Sequence, residues 1–503
     1  MKELNYIIEE LIAYGKIHLG LNDLDAVYTR NLLLNRLNVE SPLEEEPDVS
    51  FVKDLTVPDA ILDELKEALN EKGTKDTDLL IVEVMGLLTP MPSTVASRVE
   101  MLEKEKKGAG LDYLFDLEIK NNYIQKTAID RNIYFKKEYE DNFLEITINL
   151  SKPEKNNKDI AKLLKKEAHT PYPKCLLCRE NLGYKGRSDH PARGNIRIVP
   201  LKLRGEDWFL QYSPYAYFDH HAIIINNRHH NMTISDDTFF KLLDFVDRYP
   251  TFFVGSNADL PIVGGSILNH EHYQGGLHLL PVFYSKDRKI YRKTESLKVS
   301  VLNWYNTVLR IEGKDLNEVG ECCRKIFNAW KTYDDPSVDI LSHTGDIRHS
   351  TITPIARKIG DAYSINLILR NNRCDERYPD GIFHAHPEHH HIKQEGIGLI
   401  EAMGLFILPP RLKRQMGYVE EILTSLDPIE VFYQKYSDLS IHERMIESLI
   451  GTCGRGISVS EAKAAINDYL ADTCRDILCN TAVFKADEKG QRALDRFMEK
   501  TGI

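Results

Sequence analysis

Residues 270–276 read His-Glu-His-Tyr-Gln-Gly-Gly, and Gly-Gly-Ser stands just ahead of them at 264–266. An imidazole is mostly neutral near pH 7 and attacks an electrophile through one ring nitrogen when the other gives its proton to a fixed acceptor. A glycine turn offers exposed backbone N–H groups and Ser266 adds a hydroxyl, the donors that an anionic phosphate takes at close range. A strand over 268–273 would project His270, His272 and Gln274 from one face and Glu271 and Tyr273 from the other. Together these features predict phosphorus chemistry, with a histidine that can carry a covalent phosphoryl group. The plain alternative is a pair of core or surface histidines.

Other groups stand apart from this stretch. Cys175 and Cys178 have the spacing of two zinc ligands, but structural zinc takes four and the chain has one Cys-x-x-Cys, so two inert buried thiols are the alternative. Residues 383–391 read Phe-His-Ala-His-Pro-Glu-His-His-His, either a metal site or an exposed loop near phosphates. Arg187, Arg193, Arg197 and Arg373, with Asn371 and Asn372, are candidates to contact a diphosphate or a sugar, because guanidinium matches phosphate oxygens in a fixed fork. Solvated surface is the alternative for each. Asn257 joins Gly264, Gly265 and Ser266 as a candidate substrate contact.

The elements that must position these residues follow from periodicity. Leu4, Ile7, Ile8, Leu11 and Ile12 recur at helical spacing, and Ile61, Leu62, Leu65 and Leu69 lie between Pro58 and Gly73, a start and a stop. Leu144, Ile146, Ile148 and Leu150 alternate with polar residues, the repeat of a half-buried strand, so sheet begins near residue 120. Strands are predicted at 196–203, 208–212 and 222–225, mostly antiparallel, and helices around 239–246 and 315–332. A second apolar set lies at 363–369 and 396–408. The tail from Asp427 is helical, with Ser458 and Glu461 forming a capping box.

The bulk numbers bound the function. With 503 residues, the chain is long enough for more than one core. A net charge of −11, spread along the chain, repels a nucleic-acid backbone but leaves room for small phosphorylated ligands. No run of about 18 apolar residues occurs, which predicts a soluble cytoplasmic protein without a membrane partner. The eight cysteines do not read as a disulfide framework, so reduced thiols are expected.

The stretch 259–276, DLPIVGGSILNHEHYQGG, resembles the signature of the class II galactose-1-phosphate uridylyltransferases, a bacterial family. LEITINLSKPEK at 144–155, CLLCRENLGYKGR at 175–187, QYSPYAYFDHHAI at 211–223 and IGLIEAMGLFILPPRL at 397–412 also resemble family blocks, so the likeness covers nearly the whole chain. It implies an α+β fold of two histidine-triad-like halves with antiparallel sheets, plus helical N-terminal and C-terminal extensions. The corresponding boundaries are a helical region at 1–115, a catalytic half at 116–300, a second half at 301–430 and a helical extension at 431–503.

The activity implied is transfer of UMP from UDP-glucose to galactose 1-phosphate through a uridylyl-histidine. His272 falls at the nucleophile's place, with the backbone carbonyl of His270 as partner for its ring proton. Gln274 stands where related hydrolases carry a third histidine; its amide donates to a phosphoryl oxygen without acting as acid or base, which favours transfer over hydrolysis. By the class I pattern, Cys175, Cys178, His230 and His270 would hold zinc, and His384 and His386 are candidates for a second metal. No organic cofactor is implied. Family members often place residues of a second subunit at the site, which implies a homodimer. The competing functions are a histidine-triad-type nucleotide hydrolase or phosphorylase, and a noncatalytic nucleotide- or metal-binding protein.

Overall fold

The apolar stripe of Leu4, Ile7, Ile8, Leu11 and Ile12 is buried along the helix Leu4–His18 in the computed structural model. The structure describes residues 2–45, 47–150 and 172–503, so positions 151–155 of the block quoted at 144–155 lie outside the described residues. The chain forms two compact units, and each is discontinuous in sequence.

Of the described residues, the first unit takes in 2–130, 172–230 and 269–277. Its helices include Asp59–Glu71, which starts after Pro58, buries Ile61, Leu62, Leu65 and Leu69, and is followed by Gly73 in the left-handed region. Four strands, Val199–Leu203, Glu206–Tyr212, Ala222–Asn226 and His272–Gly276, form an antiparallel sheet in that order. The strand expected from 196 begins at Val199 because the residues before it fix Arg197. Arg197 is 3 % exposed, and its guanidinium donates to the carbonyls of Thr89 (2.8 Å) and Pro90 (2.6 Å), at the end of the helix Thr77–Leu88. A cation there satisfies orphan carbonyls and opposes the helix dipole. Arg197 is therefore a structural arginine and not a phosphate contact.

The second unit takes in the described residues of 131–166, 231–268 and 278–503. Its larger sheet is antiparallel, in the order Phe253–Gly255, Ser350–Ile359, Ala362–Asn371, Val308–Gly313, Leu297–Leu302, Asp287–Lys293. The amphipathic helices Asp236–Arg248 and Leu316–Trp330 pack against each other, with Phe239 and Phe327 edge to face at 5.8 Å. Asp315 caps the second by accepting from the Glu318 N–H at 2.8 Å.

One expectation is corrected in this unit. The strand Phe143–Ile148 is buried on both faces, with Glu145 and Thr147 only 5 % and 7 % exposed. It is central in a three-stranded sheet, and the Glu145 carboxylate meets His278 Nε2 at 2.7 Å, so its polar residues need not face water. The second apolar set divides between two sheets: 363–369 lies in the strand Ala362–Asn371, and 396–408 lies elsewhere. The latter run breaks into the short helix Leu399–Ala402 and the strand Leu405–Leu408, which pairs parallel with Phe143–Ile148. The tail is helical, and Ser458 and Glu461 form the expected capping box at the head of Val459–Thr481.

The class is α+β, with mostly antiparallel sheets and helical segments at both ends, as expected. No single helix among the described residues is long and apolar enough to cross a membrane. All eight cysteines are free thiols.

Candidate active site and metal-ligand cluster

His272 opens the strand His272–Gly276, which begins four residues later than the expected 268 and leaves His270 just ahead of it. Its neighbours across the sheet are Ile225 opposite His272 and Ile223 opposite Gln274, so His272 and Gln274 share a face. On the opposite face, Tyr273 stacks on Trp208 with centroids 4.7 Å apart, which fixes the strand's register and orientation. His272 Nδ1 lies 2.8 Å from the carbonyl oxygen of His270. A carbonyl only accepts, so Nδ1 carries the proton and the lone pair is on Nε2. Burial pushes the imidazole's pKa down to about 4, so the ring is neutral at pH 7.

The residues around His270 converge on a second arrangement. The ligand atoms of Cys175, Cys178, His229 and His270 all lie within 4.8 Å of one another. Cys175 Sγ is 3.5 Å from Cys178 Sγ and 3.2 Å from His270 Nδ1, and Cys178 Sγ is 3.1 Å from His229 Nδ1 and 3.7 Å from His270 Nδ1. Tetrahedral zinc with two sulfur and two nitrogen ligands requires edges of roughly 3.3–3.8 Å, so the donor set fits such an ion. His270 Nε2 donates to the carbonyl of Asn226 at 2.8 Å, which turns the Nδ1 lone pair toward the sulfurs. The hydrogen bond from Cys175, with contacts to His270 and His229, holds the Cys178 thiol low, while that bond and burial push Cys175 up.

The fourth member is His229, not His230 as the class I pattern suggested. His230 is turned to Glu271, whose carboxylate lies 3.4 Å from its Nε2. Glu271 is 4 % exposed and also accepts from Asn226 Nδ2 at 2.7 Å. Of these two adjacent residues, one histidine thus serves the sulfurs and the other the acid.

Gln274 has a partner that the sequence did not announce. His221 Nε2 is 2.9 Å from Gln274 Oε1, and the amide oxygen accepts. His221 precedes the strand Ala222–Asn226 and lies diagonally across the ladder from Gln274, within reach for long side chains.

In the first unit, Arg187 pairs with Asp189 and donates to the Tyr184 hydroxyl at 2.9 Å, and the Arg193 guanidinium lies over the Tyr123 ring. In the second unit, Asn257 Oδ1 accepts from the Leu399 N–H at 2.8 Å, and its amide lies so close to Gly265 that a Cβ there would stand 2.7 Å from Nδ2. Gly264 is bridged to Ala258, which folds the Gly264–Gly265–Ser266 turn back on the segment that carries Asn257. Arg373 donates to the Asp339 carbonyl at 2.8 Å, Asn371 to that of Leu341 at 2.9 Å, and Asn372 meets His349 Nδ1 at 3.0 Å.

The histidine-rich segment is not an exposed loop. His384 is fully buried, and its pKa is driven down to about 3 by burial and then by Arg370 and other nearby cations. His386 stacks on Tyr378 and spends Nε2 on the Ile382 carbonyl, and His390 spends Nε2 on that of Ala385. Among the described residues, Cys175, Cys178, His229 and His270 are the one group whose ligand atoms converge, so His384 and His386 form no second centre.

Residues 21–231 match the family model for the N-terminal domain of galactose-1-phosphate uridyl transferase, and residues 245–436 match that for the C-terminal domain. A galactose-1-phosphate uridylyltransferase of Caldanaerobacter subterraneus subsp. tengcongensis is 41 % identical over 518 aligned positions, covering 100 % of this chain and 99 % of the relative. Those of Fusobacterium nucleatum and Bacillus subtilis are each 39 % identical, over 99 % and 98 % of this chain and 99 % and 97 % of theirs. Similarity at this level over the full length, with both domain models matched in order, means that the chain belongs to the galactose-1-phosphate uridylyltransferase family.

Proposed function

We propose that this chain transfers the uridylyl group of UDP-glucose to galactose 1-phosphate, giving UDP-galactose and glucose 1-phosphate by two displacements at one phosphorus. The observation that carries the reading is the 2.8 Å bond from His272 Nδ1 to the His270 carbonyl, which fixes a neutral ring with its lone pair on Nε2. In the first half-reaction Nε2 forms a bond to the α-phosphorus as the bond to glucose 1-phosphate breaks. The Nδ1 proton stays on the ring, and the His270 carbonyl faces the positive charge that the imidazole then carries. In the second, a phosphate oxygen of galactose 1-phosphate attacks the phosphorus and the N–P bond breaks, returning neutral His272.

Cys175, Cys178, His229 and His270 would hold zinc. With four protein ligands it would be structural, fixing the chain at His270 and supplying no open coordination position. The carbonyl that orients His272 belongs to one of these residues, so the cluster serves the chemistry through geometry. Gly264, Gly265, Ser266, Asn257, Arg187 and Arg373 would contact the substrates. Domain divisions would fall near 115, 300 and 430.

The test is covalent labelling. Incubation with UDP-glucose labelled in the uridylyl group should leave a base-stable, acid-labile adduct on the chain, and galactose 1-phosphate should discharge it as UDP-galactose. Initial rates against one substrate at several levels of the other should give parallel lines. Intersecting lines without an adduct would establish direct transfer in a ternary complex and overturn the reading.

Gln274 decides transfer against hydrolysis in this reading. A lost donor to a charged oxygen costs about 1.5–3 kcal/mol, or roughly ten- to a few hundredfold in rate. Gln274→Ala should slow both half-reactions by that factor while still forming the adduct. Gln274→His supplies a group that exchanges protons with water, and should raise the ratio of UMP released to UDP-galactose formed. Stopped-flow single turnovers and product ratios check both, and an unchanged ratio would assign water exclusion to other residues.

A further inference from the structure

We propose that His221 is a positioning residue for uridylyl transfer: its ring N–H holds the oxygen of the Gln274 amide and so turns the NH2 edge toward the phosphoryl group. The proposal rests on the reaction assigned above. A side-chain amide has two ends of nearly the same size, one that only accepts and one that only donates. Gln274 can help a negatively charged phosphoryl oxygen with the donating end alone, because the other end would present a lone pair to the same charge. Something must therefore distinguish the two ends. The 2.9 Å contact does so: Oε1 has no hydrogen, and the bond forms only if His221 Nε2 carries one.

The imidazole is itself held so that this bond is kept. His221 is 2 % exposed and lies against Tyr217 (5.3 Å between centroids, 28° between planes) and Phe218 (4.5 Å, 39°). Its backbone is tied at both groups: the N–H donates to the Phe218 carbonyl at 3.2 Å and the carbonyl accepts from Ser213 at 2.8 Å. The preceding His220 has φ +53° and Ala216 has φ +33°, a conformation that side chains with a Cβ adopt at a cost. The turn is seated on the end of the catalytic strand, where a Cβ at Gly276 would stand 2.6 Å from the Phe218 ring. A strained turn, two aromatic neighbours and a glycine seat converge on one ring nitrogen. The strand His272–Gly276 thus receives its nucleophile's orientation from His270 at one end and its amide's orientation from His221 near the other.

His221→Phe keeps a flat ring between Tyr217 and Phe218 and removes the N–H. We expect it to slow both half-reactions on the order of tenfold, with KM for UDP-glucose little changed. His221→Gln, whose terminal NH2 reaches about as far as Nε2, should recover most of the rate. The reading that separates positioning from mere packing is a double-variant cycle. In the Gln274→Ala background, His221→Phe should cost no more than about twofold, because the group it orients is gone. If the two losses multiply instead, or if His221→Phe alone costs nothing, the proposal is overturned.

A measurement that needs no turnover runs beside it. In histidine-selective 15N spectra, the signal that His221→Phe removes should report the proton on Nε2, and a proton on Nδ1 would overturn the proposal whatever the enzyme does. Absence of uridylyl transfer by the unsubstituted chain, with Nε2 protonated, would instead bring down the reaction reading, and the role of His221 in it, while leaving the hydrogen bond in place.

Discussion

His272→Ala is expected to abolish uridylyl exchange, by roughly a hundred-thousand- to a million-fold, the order seen when an enzyme's nucleophile is removed. No covalent adduct should form from labelled UDP-glucose. The expectation follows from the ring's arrangement more than from its identity. His272 is 5 % exposed, its Nδ1 proton is committed to the His270 carbonyl, and its burial keeps it neutral, so only Nε2 is poised as a nucleophile. Neighbouring side chains do not offer a substitute on the same strand: Tyr273 is stacked on Trp208 on the other face, and Gln274 is not nucleophilic. The fold should survive, because the strand is held by its ladder to Ala222–Asn226 and by the Tyr273–Trp208 stack. Exchange rates, adduct labelling and thermal unfolding of the same preparation check the three parts. Residual turnover within a hundredfold of the unsubstituted chain would sink the assignment of His272 as nucleophile.

The parts of this site that a one-dimensional pattern can carry were legible before the fold was known. His272 and Gln274 are two residues apart on one strand, so the period of two already put them on one face. Cys175 and Cys178 declare themselves by spacing. What was not legible depends on choices between neighbours and on pairings across the sheet. His229 and His230 are indistinguishable as letters; the structure separates them because Glu271 takes one ring and the sulfurs the other. His221 lies 53 positions from Gln274, and the ladder that brings them together sets a register that periodicity alone does not give. Arg197 looked like a phosphate ligand because every arginine does in sequence, whereas its partners are carbonyls at a helix end more than 100 residues away. Likewise Phe143–Ile148 alternates as a half-buried strand should, yet its polar residues are buried, the Glu145 carboxylate being taken up by His278, a partner 133 positions away.

Cys178→Ala is expected to empty the metal cluster and to weaken the first unit. Cys178 Sγ is the vertex that touches the other three donors, at 3.5, 3.1 and 3.7 Å from Cys175, His229 and His270. The protein as purified should hold about one zinc ion per chain, and the variant should hold none after dialysis. Loss of a structural ion also leaves Cys175 and His270 as inward-facing polar groups without their common partner, a loss of about 2–4 kcal/mol, or roughly 5–10 °C in thermal midpoint. Activity should fall as well, because the His270 carbonyl that orients His272 then loses the metal and Cys178 as restraints and keeps only the weaker contacts to Asn226 and Cys175. The neighbouring histidines give the sharper contrast. His229→Ala should lose the metal and the midpoint together, whereas His230→Ala, which removes a ring directed at Glu271, should keep both. Metal analysis and calorimetry read these outcomes without any turnover. A purified protein free of zinc, whose midpoint is indifferent to Cys178→Ala and to added zinc, would make Cys175 and Cys178 a buried pair of inert thiols. Retention of zinc by His229→Ala with its loss in His230→Ala would exchange the roles that the two rings have here.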